Sequence, residues 1–367
     1  MKKKLCLLTP KHWSAMMGGS QYQVKCLLER LISSGGFELY YLTGQYDQHY
    51  IPSGYELIGM PAYGSAGGGS PCQHFSATLK MLNKIKPDII YQRVGSFYTG
   101  IAAWYTKRNN CKMIWHIAHD TDVMPAALNQ RLKFRRNLLE KKILEYGLRN
   151  CSGIIAQTNQ QRLYLKKYYK RDASAVIPNF QPRPEEEIRK SNSVQIVWVA
   201  NLKKWKQPEY FITLARDLGR MNMPVECLMI GKPSRNKAWQ ESIEQQIAAI
   251  GNLSYLGSCS IEQVNSVLNS AHIFVNTSTA EGFPNTFIQA WMRKTPVVSL
   301  HCNPDNIFRK YKVGFFAGKY EIMLSQIVNL IKNKPLREEL GETAGAYAMD
   351  TYSLSNLARL EKVLNEA

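Results

Sequence analysis

Short apolar runs rich in β-branched and aromatic residues alternate along the whole chain with stretches whose apolar positions recur at helical spacing. Runs at 3–10, 37–44, 87–93, 112–118 and 152–158 predict strands in the first half, which the residues at 175–180 close, and those at 194–199, 225–231, 271–276 and 296–300 predict strands in the second. Behind Gly18, Gly19 and Ser20, the positions of Tyr22, Val24, Leu27, Leu28 and Leu31 predict a helix; residues 102–107 predict another, and Leu128, Leu132, Leu139, Ile143 and Tyr146 a third. Residues 286–294 and the tail from 320 also read as helices. Alternating strands and helices in both halves of a 367-residue chain predict two α/β domains with parallel sheets. The Pro-rich, charged residues 181–193 suit a linker.

The stretch from 271 to 300 is the most informative. A buried strand runs into the polar loop STAEGFPN, then a helix, then a second buried strand, forming one βαβ unit. Ligands of such sheets collect beyond the carboxyl ends of the strands, where this loop lies. A helix starting near Asn285 has backbone N–H groups at Asn285, Thr286 and Phe287 without intrahelical acceptors, which suits a phosphate. Glu281 lies just before that helix, and Gln289 one turn in, on the face carrying Asn285. An acid, bare N–H groups and an amide together suit a ligand with a sugar, a phosphate and a polyol in series.

This stretch resembles the EGF–P/G–x–E motif of the family 4 retaining glycosyltransferases. The resemblance implies a GT-B fold: α/β, two Rossmann-like domains facing an interdomain cleft. It implies an acceptor-side domain at 1–179, a donor-binding domain at 180–351 and a last helix at about 352–367 crossing back to the first. In that family two glutamates spaced E-x7-E contact the donor sugar and the ribose; here Glu281 fills the first position and Gln289 the second. Gly18 and Gly19 are similar to the family's GG-x-E/Q loop, and VIPNF at 176–180 to its interdomain VIPNG. The family's V-G-R-L followed by K-G, whose Arg and Lys clamp the donor diphosphate, corresponds here to Ala200, Asn201 and Lys206.

The same resemblance implies that His119, at the end of the 112–118 run with Asp120 beside it, lies against the sugar. The implied catalytic residues are His119, Lys206 and Glu281. The implied donor-binding residues are Gly18, Gly19, Asn201, Lys206, Gly231, Lys232, Gly257, Ser258, Phe283, Pro284, Asn285, Thr286 and Gln289. No cofactor and no metal are expected, although Asp120 and Asp122 form an Asp-x-Asp by letters; a UDP- or GDP-sugar is the expected substrate. Two other readings remain open. One is a GT-B relative with other sugar chemistry, such as an epimerase or phosphorylase. The other is a degenerate, non-catalytic binding protein, to which Asn201 and Gln289 lend weight. His116, inside its apolar run, reads as a hydrogen-bonded core histidine.

Charge adds a partner. Net charge is +19, and residues 1–180 carry +15 of it. Between Arg131 and Arg171 stand 12 basic and 2 acidic residues, with Tyr164, Tyr168 and Tyr169 interleaved among Lys166, Lys167 and Lys170. Such a surface suits an anionic membrane, while no nucleic-acid-binding pattern supports DNA or RNA. The expected partners are a nucleotide-sugar, a glycan or lipid-linked acceptor and an anionic bilayer. The Gly/Ser-rich residues 61–75 are a candidate loop over the acceptor. No apolar run approaches the ~18 residues of a membrane span, and LCLL near the start is too short for a signal-peptide core. The expected location is the cytoplasm, peripheral on the inner face of the membrane. Eight scattered cysteines without a CxxC pair read as reduced thiols.

Overall fold

Strands covered on both faces lose the alternation of inward and outward residues, and the two sheets of this protein are built from such strands. A computed structural model describes residues 2–61, 63–64, 67–68, 71–125 and 135–367. The chain divides into two compact units, residues 1–180 with 354–367, and residues 181–353.

The first unit runs β1 (Lys3–Thr9), α1 (Gly19–Ser34), β2 (Phe37–Thr43), β3 (Glu56–Gly59), β4 (Tyr63–Gly64), β5 (Gly67–Gly68), α2 (Pro71–Ile85), β6 (Ile89–Arg93), α3 (Phe97–Thr106), β7 (Lys112–His116), α4 (Arg135–Asn150), β8 (Gly153–Ala156), α5 (Asn159–Tyr164) and β9 (Ala175–Val176). Seven strands form a parallel sheet in the order β3-β2-β1-β6-β7-β8-β9, and β4 pairs with β5 alone. Alternate residues of β1 go to opposite faces: Leu5 and Leu7 meet Leu27 and Leu31 of α1, while Cys6 and Leu8 join a core with Leu82, Ile101 and Leu148. The C-terminal helix α13 (Ser355–Glu366) belongs to this unit, burying Leu357, Leu360 and Leu364 beside α1.

The second unit runs β10 (Val194–Val199), α6 (Pro208–Arg220), β11 (Val225–Ile230), α7 (Lys237–Ala248), β12 (Leu253–Tyr255), α8 (Ile261–Ser270), β13 (Ile273–Asn276), α9 (Asn285–Met292), β14 (Val297–Ser299), α10 (Ile307–Lys310), β15 (Gly314–Phe316), α11 (Tyr320–Lys332) and α12 (Lys334–Thr351). Its six strands are parallel, in the order β12-β11-β10-β13-β14-β15. Ile196 and Trp198 of β10 face α6, α7 and α11, and Val197 faces α8, α9 and α12. The chain winds outward from β10 in one direction and from β13 in the other, so the topological switch lies between these two strands.

Several elements differ from expectation. Strand β7 stops at His116, because Ile117 and Ala118 continue the buried run but lie past the ladder. Helix α3 starts at Phe97, where the Thr99 hydroxyl accepts the Ser96 N–H at 3.0 Å, rather than at 102. Edge strands β3 and β15 and helices α2 and α7 were not anticipated. Helix α2 takes Pro71 as its first residue, so part of the 61–75 stretch is helical. The rest of that candidate acceptor loop, and the helical positions expected at Leu128, Arg131, Leu132 and Lys133, lie largely outside the described residues.

Candidate active site

At the switch of the second unit, the loops after β10 and β13 are tied together by hydrogen bonds. Trp198, fully buried in β10, donates its indole N–H to Thr277 Oγ1 at 2.9 Å, and that hydroxyl donates to the Lys206 carbonyl at 2.6 Å. The Thr279 N–H donates to the Trp205 carbonyl at 2.9 Å. These straps hold a 3-10 turn, Lys204–Lys206, against the loop leaving β13. Lys206 is brought onto Glu281 in an ion pair, their side chains only 19% and 11% exposed. Two of the three residues expected to be catalytic, 75 positions apart, are therefore in contact.

Asn201 and Gly231 serve the same loop system. The Asn201 carboxamide oxygen accepts the Lys232 N–H at 3.2 Å, and the Leu202 N–H donates to the Lys232 carbonyl at 2.9 Å. Gly231 donates to the Gly257 carbonyl at 2.8 Å and accepts from the Tyr255 hydroxyl at 2.7 Å. A Cβ at Gly231 would stand 1.8 Å from the Ala200 carbonyl oxygen, a backbone atom that cannot step aside. Gly257 takes φ +67°, and Ser258 after it is exposed. Asn201, Gly231, Lys232 and Gly257 thus form one laced set of loops beyond β10, β11 and β12.

Helix α9 starts as expected from its residues, with Pro284 extended before it and no side chain capping it. The Phe287 N–H departs from expectation: it donates to the Pro284 carbonyl at 3.1 Å, closing a tight first turn. The N–H of Thr286 has no acceptor within the helix. Gln289 is 9% exposed, and its amide donates to Asn265 Oδ1 of α8 at 3.0 Å. Phe283, expected to bind donor, is 8% exposed instead, packed in an aromatic cluster with Tyr352, Trp291 and Phe287. Its ring serves the core.

In the first unit, His119 is exposed and precedes a 3-10 turn, Asp120–Asp122. Asp122 is buried and accepts N–H groups of Gly95, Ala118 and His119 at 3.3, 3.3 and 3.0 Å, while Asp120 accepts from Gln161 at 3.0 Å. Lys141 donates to the carbonyls of Thr121 and Asp122, both at 3.0 Å. Both carboxylates of the Asp-x-Asp are thus occupied in holding the turn that presents His119. His116 is fully buried, its Nδ1 2.9 Å from the Tyr91 hydroxyl and 3.1 Å from Arg93. Burial first, and then the Arg93 charge, hold its pKa well below the usual value.

Gly18 is extended at φ −149° and precedes α1, and Gly19 opens that helix; neither needs a left-handed backbone. The loop before them is anchored by His12, fully buried between Trp13, Tyr41 and Tyr50, with Nε2 3.0 Å from the Tyr55 hydroxyl and Nδ1 2.8 Å from Ser14 Oγ. Sequence reasoning missed His12, Asn265, Thr277 and Trp198. Their roles depend on contacts between distant segments, and nothing local marks them.

The family model described as "Glycosyl transferases group 1" matches residues 180–346, and the model described as "Glycosyltransferase Family 4" matches residues 17–180. The chain belongs to the family 4 glycosyltransferases. This glycosyltransferase has the GT-B fold, as its structural relatives do. Sucrose-phosphate synthase from Thermosynechococcus elongatus superposes with a TM-score of 0.81 at 14% identity, over 100% of this chain and 99% of that one. HepE from Anabaena, solved in complex with UDP and glucose, gives 0.77 at 16% identity over 100% of both chains. WaaG, a glycosyltransferase involved in lipopolysaccharide biosynthesis, gives 0.78 at 14% identity over 98% of this chain and 99% of that one. No curated protein sequence matches this glycosyltransferase. Among its described residues no helix is long and apolar enough to cross a membrane.

Proposed function

We propose that this glycosyltransferase moves a sugar from a UDP- or GDP-sugar to an acceptor hydroxyl with retention of anomeric configuration, without a metal. The observation that carries this reading is the contact of Lys206 with Glu281 beside the start of α9, at the topological switch. In the reaction the bond from the anomeric carbon to the β-phosphate oxygen breaks. A bond to the acceptor oxygen forms on the same face, and the acceptor proton passes to the leaving phosphate. Lys206 and the helix start at Asn285 and Thr286 stabilise the growing phosphate charge. Glu281 holds sugar hydroxyls, Gln289 the ribose, Gly257 and Ser258 the base side, and His119 lies against the sugar near the reacting carbon. HepE, solved with UDP-glucose, supports a nucleotide-sugar donor.

The acceptor on this reading is a glycan or lipid-linked sugar at the cytoplasmic face of a membrane, in polysaccharide or glycolipid synthesis. Exposed Leu139, Tyr146 and Leu163 lie on α4 and α5 among Lys142, Arg149, Lys166 and Lys167, which supports contact with an anionic bilayer. A thermal-shift screen with UDP-, GDP-, ADP- and CMP-sugars, followed by product analysis, tests the reading, because a ligand that binds only the folded state raises the melting temperature. Stabilisation by one donor and transfer of its sugar to an acceptor are expected. Nucleotide release without glycosylated product favours other sugar chemistry, and failure to bind any of the four favours a degenerate binder. Co-sedimentation with anionic but not neutral vesicles tests the membrane contact.

A further inference from the structure

A diphosphate needs more positive charge than the switch loops offer once their lysines are accounted for. Lys206 shares its charge with Glu281, so it is one cation for two phosphates. Lys204 sits over the Trp239 ring at 4.4 Å and lies 4.0 Å from Glu209, and Lys203 sits over the Trp205 ring at 4.8 Å. Asn201 stands where the family has arginine, and an amide brings no charge. Lys232 is different. Its backbone is held at both ends by the Asn201 loop, through its N–H to Asn201 Oδ1 at 3.2 Å and its carbonyl to Leu202 at 2.9 Å. Its side chain is exposed and makes no ion pair among the described residues. The residue before it is the glycine pressed onto the Ala200 carbonyl, which keeps the strand-end loops of β10 and β11 in register.

We infer that Lys232 is the second diphosphate cation of this enzyme, taking over from the loop after β11 the charge that position 201 lacks. Asn201 is its positioning residue: it fixes the backbone from which the ammonium reaches the phosphates. This inference rests on the donor reading above. On it, the cation of the clamp has moved from one strand-end loop to the next.

Calorimetry on the full-length protein tests it, with whichever of UDP or GDP binds and with the matching nucleoside. Lys232→Ala is expected to weaken the nucleoside diphosphate about tenfold and Lys232→Glu about a hundredfold, the scale of losing and then reversing one charge-assisted contact. Nucleoside affinity stays unchanged in both. Asn201→Arg placed in the Lys232→Ala background recovers diphosphate affinity, because it restores a cation at the neighbouring position. Unchanged diphosphate affinity in Lys232→Ala, an equal loss for the nucleoside, or no recovery on adding Asn201→Arg overturns the inference. If the unsubstituted protein binds neither UDP nor GDP, the donor reading itself falls before any variant is compared.

Discussion

Lys206 and Glu281 come from loops that leave neighbouring strands β10 and β13, and they form an ion pair that is largely shielded from water. The straps from Thr277 and Thr279 to the backbone of residues 205 and 206 fix the distance between those loops, so the pair is held by structure rather than found by chance. Removing one partner strands the other's charge where water reaches it poorly. Lys206→Ala should therefore cost about 1–3 kcal/mol of stability in urea denaturation, while Glu281→Ala added to it should cost less than the sum of the two single losses. Transfer should fall by at least about 100-fold in Lys206→Ala. Additive stability losses would mean the pair is not coupled; unchanged turnover would remove Lys206 from phosphate stabilisation.

Much of the βαβ unit around this pair was legible, because β13, α9 and β14 each carry an unambiguous run of apolar residues between polar breaks. Its partners were not. Phe283 sits in the motif by letters, yet an aromatic residue in a loop does not reveal which way its ring turns, and here it turns into the core. The end of β7 was overrun because Ile117 and Ala118 are as buried as the strand itself, so burial alone did not mark where pairing stops. Edge strands β3 and β15 are partly exposed and carry no continuous buried apolar run, so nothing marked them.

Gln289 gives its amide N–H to Asn265 Oδ1, on the buried side of α9. A carboxylate at this position needs a donor opposite it, and Asn265 provides one by turning its amide over. Gln289→Glu should therefore fold normally and bind the nucleoside diphosphate as well as or better than the parent by calorimetry. In the Asn265→Asp background the same substitution places two carboxylates together and should lose stability. A tenfold or greater affinity loss, about 1.4 kcal/mol, in Gln289→Glu alone would show that residue 289 does not face the ribose.

His12 supplies a pH dependence. Burial lowers its pKa from the ordinary 6.5 to about 4, so between these values the unfolded chain binds a proton that the folded protein does not. Its contribution to stability is complete above pH 6.5 and is lost as the pH falls toward 4. His12→Gln removes that proton from the balance. The variant's stability should fall less steeply across this window, by up to one proton or about 1.4 kcal/mol per pH unit. Urea denaturation followed by tryptophan fluorescence suits the test, since the Trp13 ring lies 3.8 Å from that of His12. Identical acid slopes for both proteins would mean that His12 is already protonated in the folded state.

Gln207 takes φ +48° immediately before Pro208, a left-handed backbone at a non-glycine position, and its side-chain Oε1 is buried without a hydrogen-bond partner. Left-handed geometry costs roughly 1 kcal/mol for an L-residue, and an unsatisfied buried acceptor costs about 1–3 kcal/mol. Glycine removes both, at the expense of about 0.5–1 kcal/mol of added freedom in the unfolded chain. Gln207→Gly should thus stabilise the protein by about 1 kcal/mol and raise its melting temperature by a few degrees. The Lys206 backbone path is unchanged, so transfer activity should be kept. A lower melting temperature would show that the Gln207 side chain supports this turn through contacts worth more than the strain it carries.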